Sequence, residues 1–255
     1  ASGFIGKSFL KEALKIKQNK VFALSRTKNS TKNSRLTWLK GNLSNIYPHY
    51  FSKTDVLVHF AAAGVQKNKE TPAEIYETNV INSFNFLLNL ISSGCKKFVI
   101  ISSSSEYHKS KSIKKITKKN KRLPSSDYSN SKIIFTDLVK NLSDRKKCKF
   151  RIMRLFPIYG IGENSSRLYP SLIKAAKSGK NFVLNNPFET RDFTCVKNAS
   201  KIILDSCNFK KNTKKFQIFH VSSCNRMTVY DFAKKVWERY NAKGKLILKN
   251  KKKFF

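Results

Sequence analysis

From its first residues to about residue 155 the chain switches between two hydrophobic periods. Phe4, Ile5, Phe9, Leu10, Ala13 and Leu14 recur at helical spacing with lysines between them, which predicts an amphipathic helix. Residues 20–24, 54–60 and 97–101 are short and nearly continuous apolar runs, the pattern of parallel strands covered on both faces, and 151–155 reads as a further strand. Between them, 72–90 reads as a helix with Ile75, Val80, Phe84, Leu87 and Leu88 on its inner side. A further helix follows Pro124, with Ile133, Ile134, Leu138 and Leu142 apolar. Strands alternating with helices predict a doubly wound α/β fold with a parallel sheet and ligands at the carboxyl ends of its strands. Later the pattern is more mixed: helices near 168–178, 199–207 and 229–240, an extended 191–196 and a strand at 216–221. The lysine-rich 108–122 has no clear period and reads as a solvated loop, and 245–255 ends in a lysine run without a structural close.

Chemistry gathers at the ends of these runs. Gly3 and Gly6 stand at the start of the first helix, around Phe4 and Ile5. Glycines there allow close approach, and free N–H groups at the positive end of a helix dipole suit a pyrophosphate. A dinucleotide fingerprint also needs a strand and one more glycine upstream. The expectation is therefore a Rossmann-like sheet that lacks its first strand, with a gap between the strands near 20–25 and 55–60. The run at 20–24 empties into Ser25 and Arg26 with no carboxylate, so NADP is favoured over NAD at the ribose. After 54–60 come Ala61, Ala62, Ala63 and Gly64, small enough to let the backbone meet a flat ligand, and after 97–101 come four serines, 102–105.

Composition narrows the classes. The net charge is +37, which points toward nucleic acid, but of 52 basic residues only 10 are arginine, and the lysines are spread over most helices and loops. Base readout and phosphate forks favour arginine, so nucleic acid is expected only as a nonspecific polyanion at low salt. The five cysteines (Cys95, Cys148, Cys195, Cys207, Cys224) form no C-x-x-C pair, so neither zinc nor a disulfide framework is expected, no metal is assigned, and a reducing cytoplasm is the simplest setting. No uninterrupted apolar run reaches the roughly 18–20 residues of a membrane span.

A tyrosine and a lysine four apart share one helix face. An ammonium about 5 Å from a phenol, at an effective dielectric of about 20, favours the phenolate by roughly 3 kcal/mol, or about two pKa units. That brings a phenol toward acid–base work at neutral pH. The spacing occurs three times, at Tyr107/Lys111, Tyr128/Lys132 and Tyr230/Lys234. Only Tyr128 sits early on a helix after a proline-containing loop and a strand-end serine cluster.

Taken in order, Ala-Ser-Gly-Phe-Ile-Gly at 1–6, residues 55–62, Asn79-Val80, residues 102–107, Tyr128-x-x-x-Lys132, Arg-Leu-Phe-Pro-Ile-Tyr-Gly at 154–160 and Arg191-Asp192-Phe193 resemble the extended short-chain dehydrogenase/reductases. These are the NAD-dependent epimerase/dehydratase group acting on nucleotide sugars, and the resemblance covers almost the whole chain. It implies a dinucleotide-binding domain over 1–154 and a smaller substrate-binding lobe over 155–255, some of whose elements pack back on the sheet. It implies that Tyr128 is the acid/base, that Lys132 lowers its pKa and holds the nicotinamide ribose, and that Ser103 binds the reacting sugar oxygen with Ser104 beside it. Gly3, Phe4, Ile5, Gly6, Ser25, Arg26, Phe60, Ala61, Ala62, Asn79 and Phe156 would line the cofactor, with Asn42 and Leu43 near the adenine. Arg191 would meet the substrate's diphosphate, where a bidentate arginine fits. A homodimer through the helices near 73–90 and 127–142 is implied as well.

The chain departs from the family pattern at Asn42 for aspartate, Pro157 for a substrate-binding asparagine, and Lys197-Asn198 for paired aspartates. Ser104 and Ser105 stand where the sugar 4,6-dehydratases carry Asp-Glu, which disfavours elimination and leaves 4-epimerisation or 4-keto reduction. The rival readings are a non-catalytic or decayed member of the same family and, from charge, a basic nucleic-acid-binding module.

Overall fold

The computed structural model describes residues 1–27, 31, 33–45, 47–66, 69–107 and 116–249. These fall into two compact units, one of Ala1–Leu155 with Ser200–Val221, the other of Phe156–Ala199 with the chain from Ser222 onward. The lysine-rich stretch expected as a loop lies at 108–115 outside the described residues.

The first unit opens with α1 (Phe4–Ala13), whose Phe9, Leu10 and Ala13 are buried. β1 (Val21–Ser25) pairs in parallel with β2 (Leu36–Lys40), and Leu10, Ala23 and Leu36 share a small core with Trp38 against it. The polar Thr37 and Lys40 hid β2 from the apolar pattern, and the one-turn α2 (Pro48–Phe51) is too short to show a period. β3 (Leu57–His59), α3 (Pro72–Tyr76), α4 (Ser83–Ser92) and β4 (Lys97–Ser103) follow, then α5 (Asp127–Arg145) and β5 (Lys149–Leu155). The helix expected over 72–90 is not continuous: a π-turn at Glu77–Asn82 separates α3 from α4. The main sheet is all parallel, with β3 beside β4, β4 beside β5, and β5 beside the late strand β10 (Phe216–Val221). Its core is Phe86, Leu87 and Leu90 of α4 and Phe135, Val139 and Leu142 of α5 against Phe98, Ile100, Phe150 and Ile152. Among the described strands β1 pairs only with β2, and β3 only with β4, so the parallel strands form two blocks.

In the second unit β6 (Ile158–Tyr159) pairs with β9 (Thr194–Cys195), β7 (Phe182–Leu184) with β12 (Leu246–Leu248), and β8 (Thr190–Asp192) with β11 (Arg226–Thr228). The expected unstructured close at 245–255 is corrected in part, because Leu246–Leu248 finds a parallel edge on β7. Helices α6 (Leu168–Lys177) and α8 (Val229–Arg239) pack through Tyr169, Leu172, Phe232, Val236 and Trp237. Phe193 stacks on Phe232 at 4.0 Å. The extended reading of 191–196 ends early, since α7 (Val196–Asp205) already begins at Val196. All five cysteines are free. Among the described residues no helix is long and apolar enough to cross a membrane.

Candidate active site

The carboxyl ends of β3 and β4 and the first turns of α5 build the site. β3 delivers His59 and then Phe60–Gly64. Gly64 has φ +78°, and a Cβ there would lie 2.8 Å from the Ile75 side chain and 3.3 Å from the Tyr128 Cβ. The turn after β3 therefore tucks against Tyr128 because residue 64 has no side chain. α5 starts with a reciprocal cap: the Ser129 N–H donates to Ser126 Oγ at 3.2 Å and the Ser126 N–H to Ser129 Oγ at 3.0 Å. That cap fixes Tyr128 and Lys132 one turn apart. Lys132 is 3% exposed, its Nζ lies 5.8 Å from the Tyr128 ring centre, and it donates to the Ile101 carbonyl at 3.4 Å. Burial lowers the Lys132 pKa to about 8, opposed by the charge of Glu106. His59 is 3% exposed and tilted over Phe135; burial, then the Lys132 charge, hold it neutral with a pKa lowered to about 3.

Asn79 lies in the π-turn and is 1% exposed. Its Nδ2 donates to the Ala63 carbonyl at 3.0 Å and to Ser131 Oγ at 2.9 Å, while Oδ1 accepts from the Ala63 N–H at 2.7 Å. Asn79 thereby ties the β3 turn to α5 beside Lys132. At the end of β4, Ser103 Oγ accepts from the Ser105 N–H at 3.1 Å and the Ser105 hydroxyl at 2.9 Å.

Below this surface lies a polar cluster that the apolar patterns concealed. Glu106 is fully buried and accepts from Ser102 Oγ, from Thr136 Oγ1 at 3.1 Å and from Arg154 Nη2 at 2.6 Å. Arg154, 1% exposed, also donates to Tyr107 Oη, which is 2.7 Å from His220 Nε2 on β10. The one legible sign was an arginine inside the apolar run 151–155. Arg122, expected in a solvated loop, instead pairs with Asp137 at 2.8 Å and lies 3.9 Å from Glu106.

A model of the NAD dependent epimerase/dehydratase family matches residues 1–222. The chain belongs to this family. A UDP-glucose 4-epimerase of Lactobacillus helveticus is 24% identical over 205 residues, 72% of this chain and 62% of the relative. UDP-glucose 4-epimerase 2 of Oryza sativa subsp. japonica is 25% identical over 64% of this chain and 43% of its own. The chain thus spans less than two thirds of the length of either relative. Among solved structures, MoeE5 in complex with UDP-glucose and NAD superposes with a TM-score of 0.85 at 20% identity, covering 98% of this chain and 83% of MoeE5. UDP-N-acetylglucosamine 4-epimerase from Methanobrevibacter ruminantium M1 gives 0.86 at 20% identity, with the same shares covered. These structural likenesses establish the shared Rossmann-like fold.

The remaining positions singled out by the family pattern lie as follows. Gly3 caps α1 with extended backbone and no side-chain hydrogen bond, the first turn holds no acidic residue, and a Cβ at Gly3 would meet nothing within 4 Å. Phe4 and Ile5 are half-buried, and a Cβ on Gly6 would fall 2.4 Å from the Ala1 carbonyl oxygen. This uncapped, acid-free helix start fits a pyrophosphate. Ser25 is buried and donates to Ser2 Oγ at 3.0 Å, and Arg26 is exposed. Asn42 Oδ1 accepts from the Ser44 N–H at 2.8 Å; Leu43 lines a cavity of ≈ 350 Å³ with Ser44, Asn82 and Asn85. The Phe60 ring lies 5.2 Å from that of Phe9. Ala61 is half-buried and Ala62 exposed. Phe156 and Arg191 belong to the second unit, where Arg191 pairs with Glu189 at 2.7 Å.

The two other Tyr/Lys pairs have different surroundings. Tyr107 is spent on Arg154 and His220, and Lys111 lies outside the described residues. Lys234 is 60% exposed at its side chain and lies 3.9 Å from Glu238.

Proposed function

We propose that this chain carries a nicotinamide-dependent epimerase or 4-keto reductase site for a nucleotide sugar. The observation that supports it most is Lys132, a buried ammonium one helical turn from Tyr128 and hydrogen-bonded to the strand that ends in Ser103. A charge held there favours the Tyr128 phenolate and lets the hydroxyl return its proton within one turnover. Tyr128 takes the proton from the sugar hydroxyl or returns it to the keto oxygen, and Ser103 holds that oxygen in place. Lys132 also donates toward the nicotinamide ribose. The backbone of Gly3–Gly6 faces the pyrophosphate, Phe60–Ala62 the flat rings, and Leu43 the adenine. The nicotinamide ring, when bound, supplies reversible hydride transfer with the sugar carbon. Arg26, with no carboxylate beside it, favours NADP over NAD. Arg191 would exchange its Glu189 partner for the substrate diphosphate.

Epimerase activity in the sense of the curated relatives is the first to assay, with UDP-glucose as substrate. Tyr128→Phe is expected to abolish turnover while leaving the thermal shift produced by NADPH or NADH in place. Full turnover in that variant would remove the assignment. A larger stabilisation by NADPH than by NADH supports the Arg26 reading, and the reverse order overturns it.

A further inference from the structure

The buried Glu106–Arg154 pair has a position that its contribution to stability does not explain. A buried ion pair is weak support for a fold, because desolvation offsets the attraction. Here the carboxylate is divided between two elements of the candidate site. Ser102, which donates to it, is the residue before Ser103 on β4, and Thr136, which also donates to it, lies one turn after Lys132 on α5. Arg154 on β5 holds the second oxygen at 2.6 Å and is itself braced by Tyr107, so Glu106 cannot swing away. The carboxylate thus accepts from Ser102, Thr136 and Arg154, which join β4, α5 and β5.

We propose that Glu106 is a positioning residue: its carboxylate clamps the end of β4 to α5 and keeps the Lys132 ammonium charged for Tyr128. The proposal rests on the catalytic reading of Ser103, Tyr128 and Lys132 given above. The charges around it are accounted for by element. Lys132 is faced by Glu106 from the turn after β4, by neutral His59 from β3 and by Tyr128 on its own helix. Glu106 is faced by Arg154 from β5 and more distantly by Arg122, with Tyr107 and His220 beyond Arg154. Among the groups acting on Lys132, Glu106 is the one that opposes the effect of burial. Loss of the carboxylate therefore leaves burial unopposed.

The test follows the Lys132 amine directly in the ligand-free full chain, by NMR of ¹³Cε-labelled lysine, its resonance assigned through its loss in Lys132→Met. Glu106→Gln keeps the shape and removes the charge; Glu106→Gln with Arg154→Met removes both charges and guards against an unpaired buried guanidinium that unfolds the single variant. In folded Glu106→Gln the Lys132 midpoint, about pH 8 in the parent chain, is expected to move to lower pH with the alkaline limb of turnover, and in the double variant, which also loses a cation, to move down by less. An unmoved midpoint in folded Glu106→Gln, or, where only the double variant folds, a midpoint above the parent's, overturns the proposal. Full turnover in Tyr128→Phe would instead overturn the catalytic reading, so the two failures are separable.

Discussion

Asn79 and Ser131, 52 positions apart, share a 2.9 Å hydrogen bond that joins the π-turn to α5 one residue before Lys132. The same amide holds both backbone groups of Ala63. Asn79→Ala leaves these buried groups without partners, so a loss of about 2–3 kcal/mol is expected. Denaturant unfolding measures it. If Tyr128 and Lys132 act as proposed, displacement of α5 also lowers turnover by about a hundredfold. A folded variant with parental stability and turnover would show that the tie is idle.

Lys132→Met should stabilise the chain and change its pH dependence. The lysine has a folded pKa of about 8 against an ordinary 10.5, so between these values the unfolded chain holds more protons. Stability contributed by this group therefore rises with pH across that window, by up to about 3 kcal/mol, and is absent below it. In Lys132→Met the rise disappears, stability at neutral pH increases, and the proposed turnover is lost. Urea midpoints from pH 7 to 10 read out the first two effects.

His59 acts in the opposite range. Its folded pKa is about 3 against an ordinary 6.5, so the unfolded state again binds the extra proton, now between those values. The stability present above pH 6.5 is lost as pH falls toward 3, by at most about 5 kcal/mol. His59→Leu is expected to flatten this acid limb in thermal melts at pH 4–6. A variant as acid-sensitive as the parent would assign the loss to other groups.

Gly64→Ala places a Cβ at φ +78° and within 2.8 Å of Ile75. Left-handed strain and overpacking together cost about 3 kcal/mol. Relief of that clash pushes the turn toward Tyr128, so turnover should fall more than stability accounts for. Equal losses at an unrelated surface glycine, Gly179, would remove the special role of this turn.

The alternation of apolar runs and helical periods was enough to read the main sheet, because strands covered on both faces are mostly apolar. What was not legible has physical causes. Thr37 and Lys40 interrupt β2, and β7, β11 and β12 are three-residue strands with too few positions to show a period. Tyr128 and Lys132 were readable because helical spacing alone places them on one face. Glu106, Arg154 and His220 were not, since their contacts join β4, β5 and β10 across 48 and 113 positions of chain. A charge in an apolar strand shows that a partner exists, but only the sheet order shows which one.

The π-turn at Glu77–Asn82 makes the length of this helical stretch a functional quantity. One residue more than a regular helix needs is accommodated there, and Asn79 lies within the widened turn. Deleting a single residue other than Asn79 from 77–82 would yield a more regular helix. It would nonetheless rotate Asn79 away from Ala63 and Ser131. In this segment, single-residue deletions should therefore regularise the helix and still cost about as much as Asn79→Ala, about 2–3 kcal/mol.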